Sequence, residues 1–169
     1  MFAIRLLTAD DAAAFWELRL EALASVPEAF GESAEEHRNT TVSFLGERLR
    51  NGGIESFVVG AFDGPELSGT AGFYRDTRVK RRHKGHIWGM YVAPKLRGQG
   101  AGEALLVEAL RVARQCDGLR SIVLSVSETQ IGARRLYERL GFQTYGVEPG
   151  ALQVGDRYLD EEFMILRLY

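Results

Sequence analysis

The segment from Met90 to Gly102 carries the residue pattern in this chain that is most specific for chemistry. It begins with apolar residues typical of a strand end, crosses a short loop bounded by Pro94 and Gly98, and ends in alternating glycines where a helix begins. Backbone N–H groups at a helix N-terminus have no intrahelical partner, and the helix dipole favours negative charge there. Glycine also removes the Cβ atoms that would hold a phosphate away from the backbone. With Arg97 as a neighbouring positive charge, the segment predicts a diphosphate-binding site.

Two common diphosphate-binding motifs do not fit the spacing of these glycines. A nucleoside-triphosphate P-loop ends in Gly-Lys-Ser or Gly-Lys-Thr, whereas Gly102 is followed by Glu103. A dinucleotide fingerprint has the spacing G-x-G-x-x-G after a first strand, whereas Gly98, Gly100 and Gly102 give G-x-G-x-G after several predicted strands. The diphosphate of another ligand is therefore expected here.

The elements that position this segment follow from hydrophobic periodicity and from Gly and Pro punctuation. The patterns predict helices at 12–24, 34–50, 100–115 and 130–140, and strands at 2–7, 56–62, 67–75, 86–92, 120–127, 142–147 and 158–168. The order is β-α-α-β-β-β-α-β-α-β-β without repeats, in one mixed α/β domain over residues 1–169. A right-handed crossover is expected to make the strands at 86–92 and 120–127 parallel neighbours.

Composition argues against several classes of protein. The chain is 46% hydrophobic and 26% charged with a net charge of -2, which gives no general attraction to nucleic acid or to an anionic membrane. No apolar run is long enough to span a bilayer. The single cysteine, Cys116, makes neither an internal disulfide nor a Cys-rich metal site, and the first residues do not resemble a signal peptide. We expect a cytoplasmic domain without a metal, as a monomer or homodimer.

Two motifs together resemble those of the GNAT superfamily of N-acetyltransferases. Residues 97–102, Arg-Gly-Gln-Gly-Ala-Gly, are similar to its (Q/R)-x-x-G-x-(G/A) acetyl-CoA motif and follow the V-x-P segment at 92–94. Residues 133–142 are similar to its A-x-x-L-Y-x-x-x-G-F helix. The resemblance covers nearly the whole chain. It implies a central mixed, mostly antiparallel sheet, flanked by helices and splayed between the two cofactor-binding strands.

The resemblance also implies acetyl-CoA as the acyl donor, without a metal. The cofactor-binding positions that it implies are Met90, Tyr91, Val92, Arg97, Gly98, Gln99, Gly100, Ala101, Gly102, Gln130, Ala133 and Tyr137. The chain departs from the family pattern at Gln130, since members often carry asparagine seven residues before the tyrosine. The longer glutamine keeps an amide but changes its reach.

The implied reaction is direct attack of an amine on the thioester while both substrates are bound. Backbone amides near Met90–Val92 are expected to bind the carbonyl oxygen. Tyr137 is the predicted general acid, because a phenol is protonated at neutral pH and can donate to a departing thiolate. His86 is the predicted base, since a histidine is largely neutral at pH 7. Glu128 and a water chain are the alternatives to His86.

The acceptor side is less well specified by the sequence. Acidic residues at Glu32, Glu35 and Glu36 and at Asp160, Glu161 and Glu162 are expected to frame it, either as walls for a cationic amine or as solvated surface. Alternation places His86, Trp88 and Met90 on one side of their strand. The basic run at 78–84 is interpreted as a solvated hairpin tip rather than a nucleic-acid patch, with a cofactor phosphate contact as a third reading.

The expected function is N-acetylation of a primary amine, on a small molecule or a peptide, without nucleic-acid or membrane partners. Two alternatives remain open. One is an acyltransferase of the same fold that uses a longer acyl-CoA. The other is a non-catalytic module that binds acyl-CoA.

Overall fold

The computed structural model describes residues 1–169 and contains one seven-stranded sheet. Its strands are β1 (Ala3–Leu6), β2 (Ser56–Asp63), β3 (Glu66–Arg75), β4 (Lys84–Val92), β5 (Ser121–Ser127), β6 (Gln143–Val154) and β7 (Arg157–Arg167). The spatial order is β1-β2-β3-β4-β5-β7-β6, and every pair is antiparallel except β4–β5. This confirms the predicted mixed, mostly antiparallel sheet with one parallel pair.

Helices cover both faces of the sheet. They are α1 (Ala12–Ser25), α2 (Ala34–Arg38), α3 (Val42–Asn51), α4 (Ala101–Ala113) and α5 (Ile131–Arg139). The larger core, with 24 buried residues, lies under α4 and α5, and the smaller core, with 11, lies under α1 and α3. The β4–α4–β5 crossover therefore packs on the larger core, and this fixes the start of α4 beside the end of β4.

The predicted helix at 34–50 was wrong as a single element, because it is divided into α2 and α3. Ser33 and Glu36 form a capping box at the start of α2, and the Thr41 hydroxyl accepts a hydrogen bond of 3.1 Å from Phe44 N at the start of α3. The indole N–H of Trp16 donates to Thr40 O at 2.6 Å, which ties the intervening turn to α1. Capping and this tertiary hydrogen bond override the helical periodicity. Strand β6 also continues seven residues beyond the predicted end at 147.

A bulge in β4 corrects the prediction that Met90 shares a face with His86 and Trp88. The β3–β4 register shifts between Gly72↔Trp88 and Thr70↔Tyr91, so β4 contains one extra residue there. Gly89 has φ +61°, which favours glycine, and its carbonyl accepts a hydrogen bond of 3.0 Å from the Thr70 hydroxyl. Trp88 consequently packs against the smaller core, whereas Met90 packs against the larger one.

Candidate active site

The parallel strands β4 and β5 are neighbours over only three residue pairs. These are Lys84↔Ser121, Gly85↔Ile122 and His86↔Val123. Beyond His86 the strands diverge, so the edge of β4 from Ile87 to Val92 has no hydrogen-bonded strand beside it. Unpaired backbone groups on a strand edge are ready partners for an extended ligand.

A cleft of about 490 Å³ opens where the strands diverge, and we call it the β4–β5 cleft. One wall comes from the end of β4 and the start of α4, and the other comes from the start of α5 with the residues before it. Its lining comprises Val26, Ala29, Phe30, Met90, Tyr91, Val92, Leu96, Arg97, Gly98, Gly100, Ala101, Gly102, Thr129, Gln130, Ile131, Gly132, Ala133 and Leu136. Ten of the twelve positions implied by the family motifs therefore meet in one cleft; Gln99 and Tyr137 do not line it.

The N-terminus of α4 forms one end of this cleft. Gly98 and Gly100 have φ of +72° and +83°, a region in which side chains are strained. Gly100 is the N-cap and supplies no capping side chain, and the first intrahelical bond runs from Ala104 N to Gly100 O at 3.0 Å. The amides that begin α4 are therefore free to donate to a ligand, as a diphosphate requires.

The two polar side chains of this loop differ in their roles. Arg97 is exposed, and its Nε donates to Val92 O at 2.9 Å, which holds the guanidinium between the end of β4 and the glycine turn. The Gln99 amide donates to Lys95 O at 2.7 Å and turns away from the cleft. The Gln99 side chain thus stabilises the loop, and only the backbone of Gln99 is available to a ligand.

Residues 129–133 form the opposite wall. The Gln130 amide donates to the Thr129 hydroxyl at 3.1 Å, so both polar groups are ordered at the mouth of the cleft. The sequence analysis missed Thr129, because a threonine before a helix is ordinarily read as a cap. Its position one residue before Gln130 was the available signal.

The loop between α1 and α2 supplies Ala29 and Phe30, which the sequence analysis also missed. Its segment at 27–29 lies against β5 and β6, and Glu28 forms an ion pair of 2.9 Å with Arg157 on β7. Phe30 lies 4.9 Å from the guanidinium of Arg19. Pro27 signalled the end of α1, but nothing local indicates that the loop crosses the sheet to reach β5.

Tyr137 lines a smaller cavity, of about 70 Å³, directly below the diverging strands, and we call it the gap cavity. Phe30, Met90, Gln130 and Ala133 line both this cavity and the β4–β5 cleft, which places them side by side. Tyr137 is 5% exposed, and its hydroxyl makes no hydrogen bond within the protein but is not one of the fully buried polar atoms without a partner. Burial raises the pKa of the Tyr137 phenol far above its usual range, so this group stays protonated.

His86 lies on the other face of the sheet, at the last residue pair before the strands diverge. Its ring stacks on Tyr74 with centroids 4.5 Å apart, and its Nε2 is buried without a hydrogen-bond partner, 3.7 Å from Asp76 Oδ2. Burial lowers the pKa of His86, and the nearby Asp76 carboxylate opposes that shift. His86 does not line the gap cavity, so the structure does not bring it into the same cavity as Tyr137.

A family model described as the acetyltransferase (GNAT) family matches residues 15–142 of this chain. The chain belongs to the GNAT family of acetyltransferases. No helix in this GNAT chain is long and apolar enough to cross a membrane.

Solved structures confirm the GNAT fold over the full chain. A GNAT-family acetyltransferase from Streptococcus pneumoniae has a TM-score of 0.83 at 21% identity, with 99% of this chain and 100% of that chain covered. A provisionally assigned acetyltransferase from Salmonella typhimurium, solved with its cofactor acetyl-CoA, has a TM-score of 0.82 at 23% identity, covering 100% and 95%.

Curated relatives match shorter segments. An uncharacterized N-acetyltransferase of Methanocaldococcus jannaschii is 33% identical over 81 residues, which is 48% of this chain and 35% of the relative. A Bacillus subtilis protein provisionally named as a phosphinothricin acetyltransferase is 36% identical over 70 residues, covering 41% and 42%. The chain thus spans less than half of the length of the curated relatives it matches.

The carboxylates predicted to frame the acceptor side of this GNAT domain line neither the β4–β5 cleft nor the gap cavity. Glu32 pairs with Arg19 at 3.0 Å, Glu36 belongs to the capping box of α2, and Glu162 pairs with Arg134 at 2.9 Å. These three carboxylates support the local structure, whereas Glu161 accepts a hydrogen bond of 3.5 Å from Ser125, a residue that lines the gap cavity.

Glu128, the alternative base, is also engaged in structure. Its Oε1 accepts a hydrogen bond of 3.0 Å from Asp160 N, and its own amide donates to Asp160 O at 3.0 Å. This reciprocal pair joins the end of β5 to β7. It leaves Glu128 less free than His86, whose Nε2 has no hydrogen-bond partner.

Proposed function

We propose that this chain transfers an acetyl group from acetyl-CoA to a primary amine. The observation that carries the proposal is the β4–β5 cleft, which combines an unpaired strand edge with the free amides at the start of α4. Acetyl-CoA would supply a thioester-activated acetyl group. Gly98, Gly100 and the first amides of α4 would hold its diphosphate, and the edge of β4 would hold its extended arm.

Each candidate residue has a role that suits its surroundings. The unpaired amides of β4 near Met90–Val92 would donate to the thioester oxygen, where charge develops during attack. Tyr137 Oη would carry the proton that the departing thiolate takes, because burial keeps the phenol protonated. The amine would lose its proton to the His86 imidazole, directly or through water, since burial favours the neutral ring.

The gap cavity favours a short acyl group over a longer one. Its volume is about 70 Å³ and its lining includes Phe30, Leu124 and Tyr137, so a long acyl chain would require side chains to move. The placement of the Tyr137 phenol between the diverging strands favours a catalytic protein over a module that only binds acyl-CoA. Transfer of an acetyl group is therefore the function that the geometry supports best.

Calorimetric titration with acetyl-CoA tests the cleft, and release of free CoA thiol in the presence of amines tests the chemistry. Gly100→Ala should weaken binding strongly, because its Cβ would intrude between a phosphate and the helix amides. Gly64→Ala is the matched control, since Gly64 has a similar positive φ of +59° in the β2–β3 turn, away from the cleft. Equal affinity in both variants, or no binding by the parent protein, would refute the proposed donor site.

A further inference from the structure

A third cavity lies on the face of the sheet that carries His86, and we call it the His86 cavity. Its volume is about 400 Å³. It shares Ile87, Trp88, Leu124 and Ser125 with the gap cavity. These four residues come from β4 and β5 just beyond the last pair, so the two cavities lie on either side of the gap between the strands. An acceptor in the His86 cavity would present its nucleophile toward Tyr137 through this gap.

The charged side chains that line the His86 cavity are basic: Arg81 and Lys84 line it beside His86. The nearby carboxylates, Asp76 and Glu161, do not line it and contact lining residues instead, at 3.7 Å from His86 Nε2 and 3.5 Å from Ser125 Oγ. Arg81 is neutralised by an ion pair of 2.8 Å with Asp76, whereas Lys84 makes no ion pair and no hydrogen bond through its side chain. The Lys84 ammonium is thus an uncompensated cation on the wall, and it suits an anionic group on a ligand.

The remaining walls are mainly aromatic. Tyr74 stacks on His86 from β3, and Tyr145 and Phe163 face each other across β6 and β7 with ring centroids 6.1 Å apart. These rings leave a broad apolar surface between the gap and Lys84. Aromatic surfaces of this kind favour a flat apolar body in the ligand.

The length of the cavity sets the spacing of the ligand's polar ends. Lys84 and Trp88 are four residues apart on β4, which corresponds to about 13 Å at 3.3 Å per residue. The lysine side chain spans part of that distance. The anionic group and the reacting nitrogen must therefore be separated by a body of about one ring, more than an α-amino acid provides.

We propose that the acceptor is a primary amine carrying an anionic group, preferably a carboxylate, at the far end of an aromatic or similarly flat apolar body. Lys84 is the residue that selects it. This inference rests on the proposed function, and it replaces the cationic acceptor that the acidic residues had suggested. A cationic cavity also favours the uncharged form of the amine, which is the form that attacks a thioester.

A matched acceptor series tests the proposal: 4-(aminomethyl)benzoate, its carboxamide, and benzylamine, each assayed by CoA release. The benzoate should have a kcat/KM about tenfold above the other two, as expected for one charge-assisted contact. Lys84→Met keeps the apolar stem and should remove the preference through KM, with kcat retained. Lys80→Met is the control, because Lys80 is exposed in the same connection and does not line the cavity.

Two results would overturn the proposal while leaving acetyl transfer intact: equal kcat/KM for the three amines, or a preference for the benzoate that survives in Lys84→Met. If none of the amines is acetylated, titration of the protein–CoA complex with 4-(aminomethyl)benzoate decides the question through intrinsic tryptophan fluorescence, to which Trp88 in the cavity wall contributes. Saturable quenching that requires Lys84 supports the assignment, and its absence rejects it. Failure of acetyl-CoA to bind in calorimetry would instead remove the proposed function.

Discussion

Replacement of Tyr137 by phenylalanine removes one buried oxygen and tests the proposed proton donor directly. Tyr137 is 5% exposed and lines the gap cavity, where its hydroxyl would lie beside the departing thiolate. General acid catalysis contributes about 10²–10⁴ in rate. We therefore expect kcat to fall by about 10² or more in Tyr137→Phe, with the KM for acetyl-CoA changed little.

The same substitution should leave folding intact. The Tyr137 hydroxyl makes no hydrogen bond within the protein, so its removal breaks no internal bond. Because the ring of the 5% exposed side chain is kept, the substitution is expected to be close to neutral. Urea denaturation of Tyr137→Phe should therefore give a free energy of unfolding close to that of the parent protein.

The assay is single-turnover and steady-state release of CoA thiol, with Tyr158→Phe as the control. Tyr158 is an exposed tyrosine on β7 that lines neither the β4–β5 cleft, the gap cavity nor the His86 cavity. An unchanged kcat in Tyr137→Phe would refute the assignment of Tyr137 as the proton donor, because the reaction would then proceed equally well without its hydroxyl. A fall in kcat that is matched by a loss of unfolding free energy would instead show a structural effect.

Three further expectations follow from the structure. Burial lowers the pKa of His86, so the acid limb of the pH profile of kcat/KM should lie below about pH 6.5, the usual pKa of histidine. This limb should disappear in His86→Gln, and its persistence would exclude His86 as the base. Gly72→Ala places a Cβ against the Trp88 indole and should lower the free energy of unfolding by about 1–3 kcal/mol in urea denaturation. Gly31→Ala is the control, because the space around Gly31 is open and its unfolding free energy should change little. Thr41→Ala removes the cap of α3 and should cost about 1 kcal/mol, measured by urea denaturation; no change would mean that solvent satisfies the Phe44 amide equally well.

Local signals account for the parts of the fold that the sequence analysis predicted. The periodicity of α4, the Pro94 and Gly98 boundaries and the crossover rule depend on residues close together in the chain. They sufficed to place Gly98, Gly100 and Gly102 at a helix start beside the end of β4. The division between α2 and α3 was also signalled locally, since Thr41 is a good N-cap, but the helical pattern around it concealed the cap.

Other features depend on contacts between distant residues. The face on which Met90 lies is set by a bulge that Thr70 stabilises through Gly89 O, nineteen residues away. Phe30 reaches the gap because its loop crosses the sheet, held there by Arg157. The net charge of the acceptor side likewise depends on which carboxylates form ion pairs in the folded protein. Glu32 and Glu162 both do so, with Arg19 and Arg134. No pattern along the chain contains this information.

The three residue pairs between β4 and β5 divide the sheet into two antiparallel ribbons, β1–β4 and β5-β7-β6, joined by a very short seam. A ligand that fills the β4–β5 cleft would extend that seam, and a ligand in the His86 cavity would touch both ribbons, since Tyr74 and His86 belong to one and Phe163 to the other. Each ligand would thereby favour a particular setting of the ribbons. Because coupling between two binding equilibria is reciprocal, whatever the donor does to acceptor affinity the acceptor must do equally to donor affinity. The short seam is thus the part of the sheet through which donor and acceptor binding would influence each other.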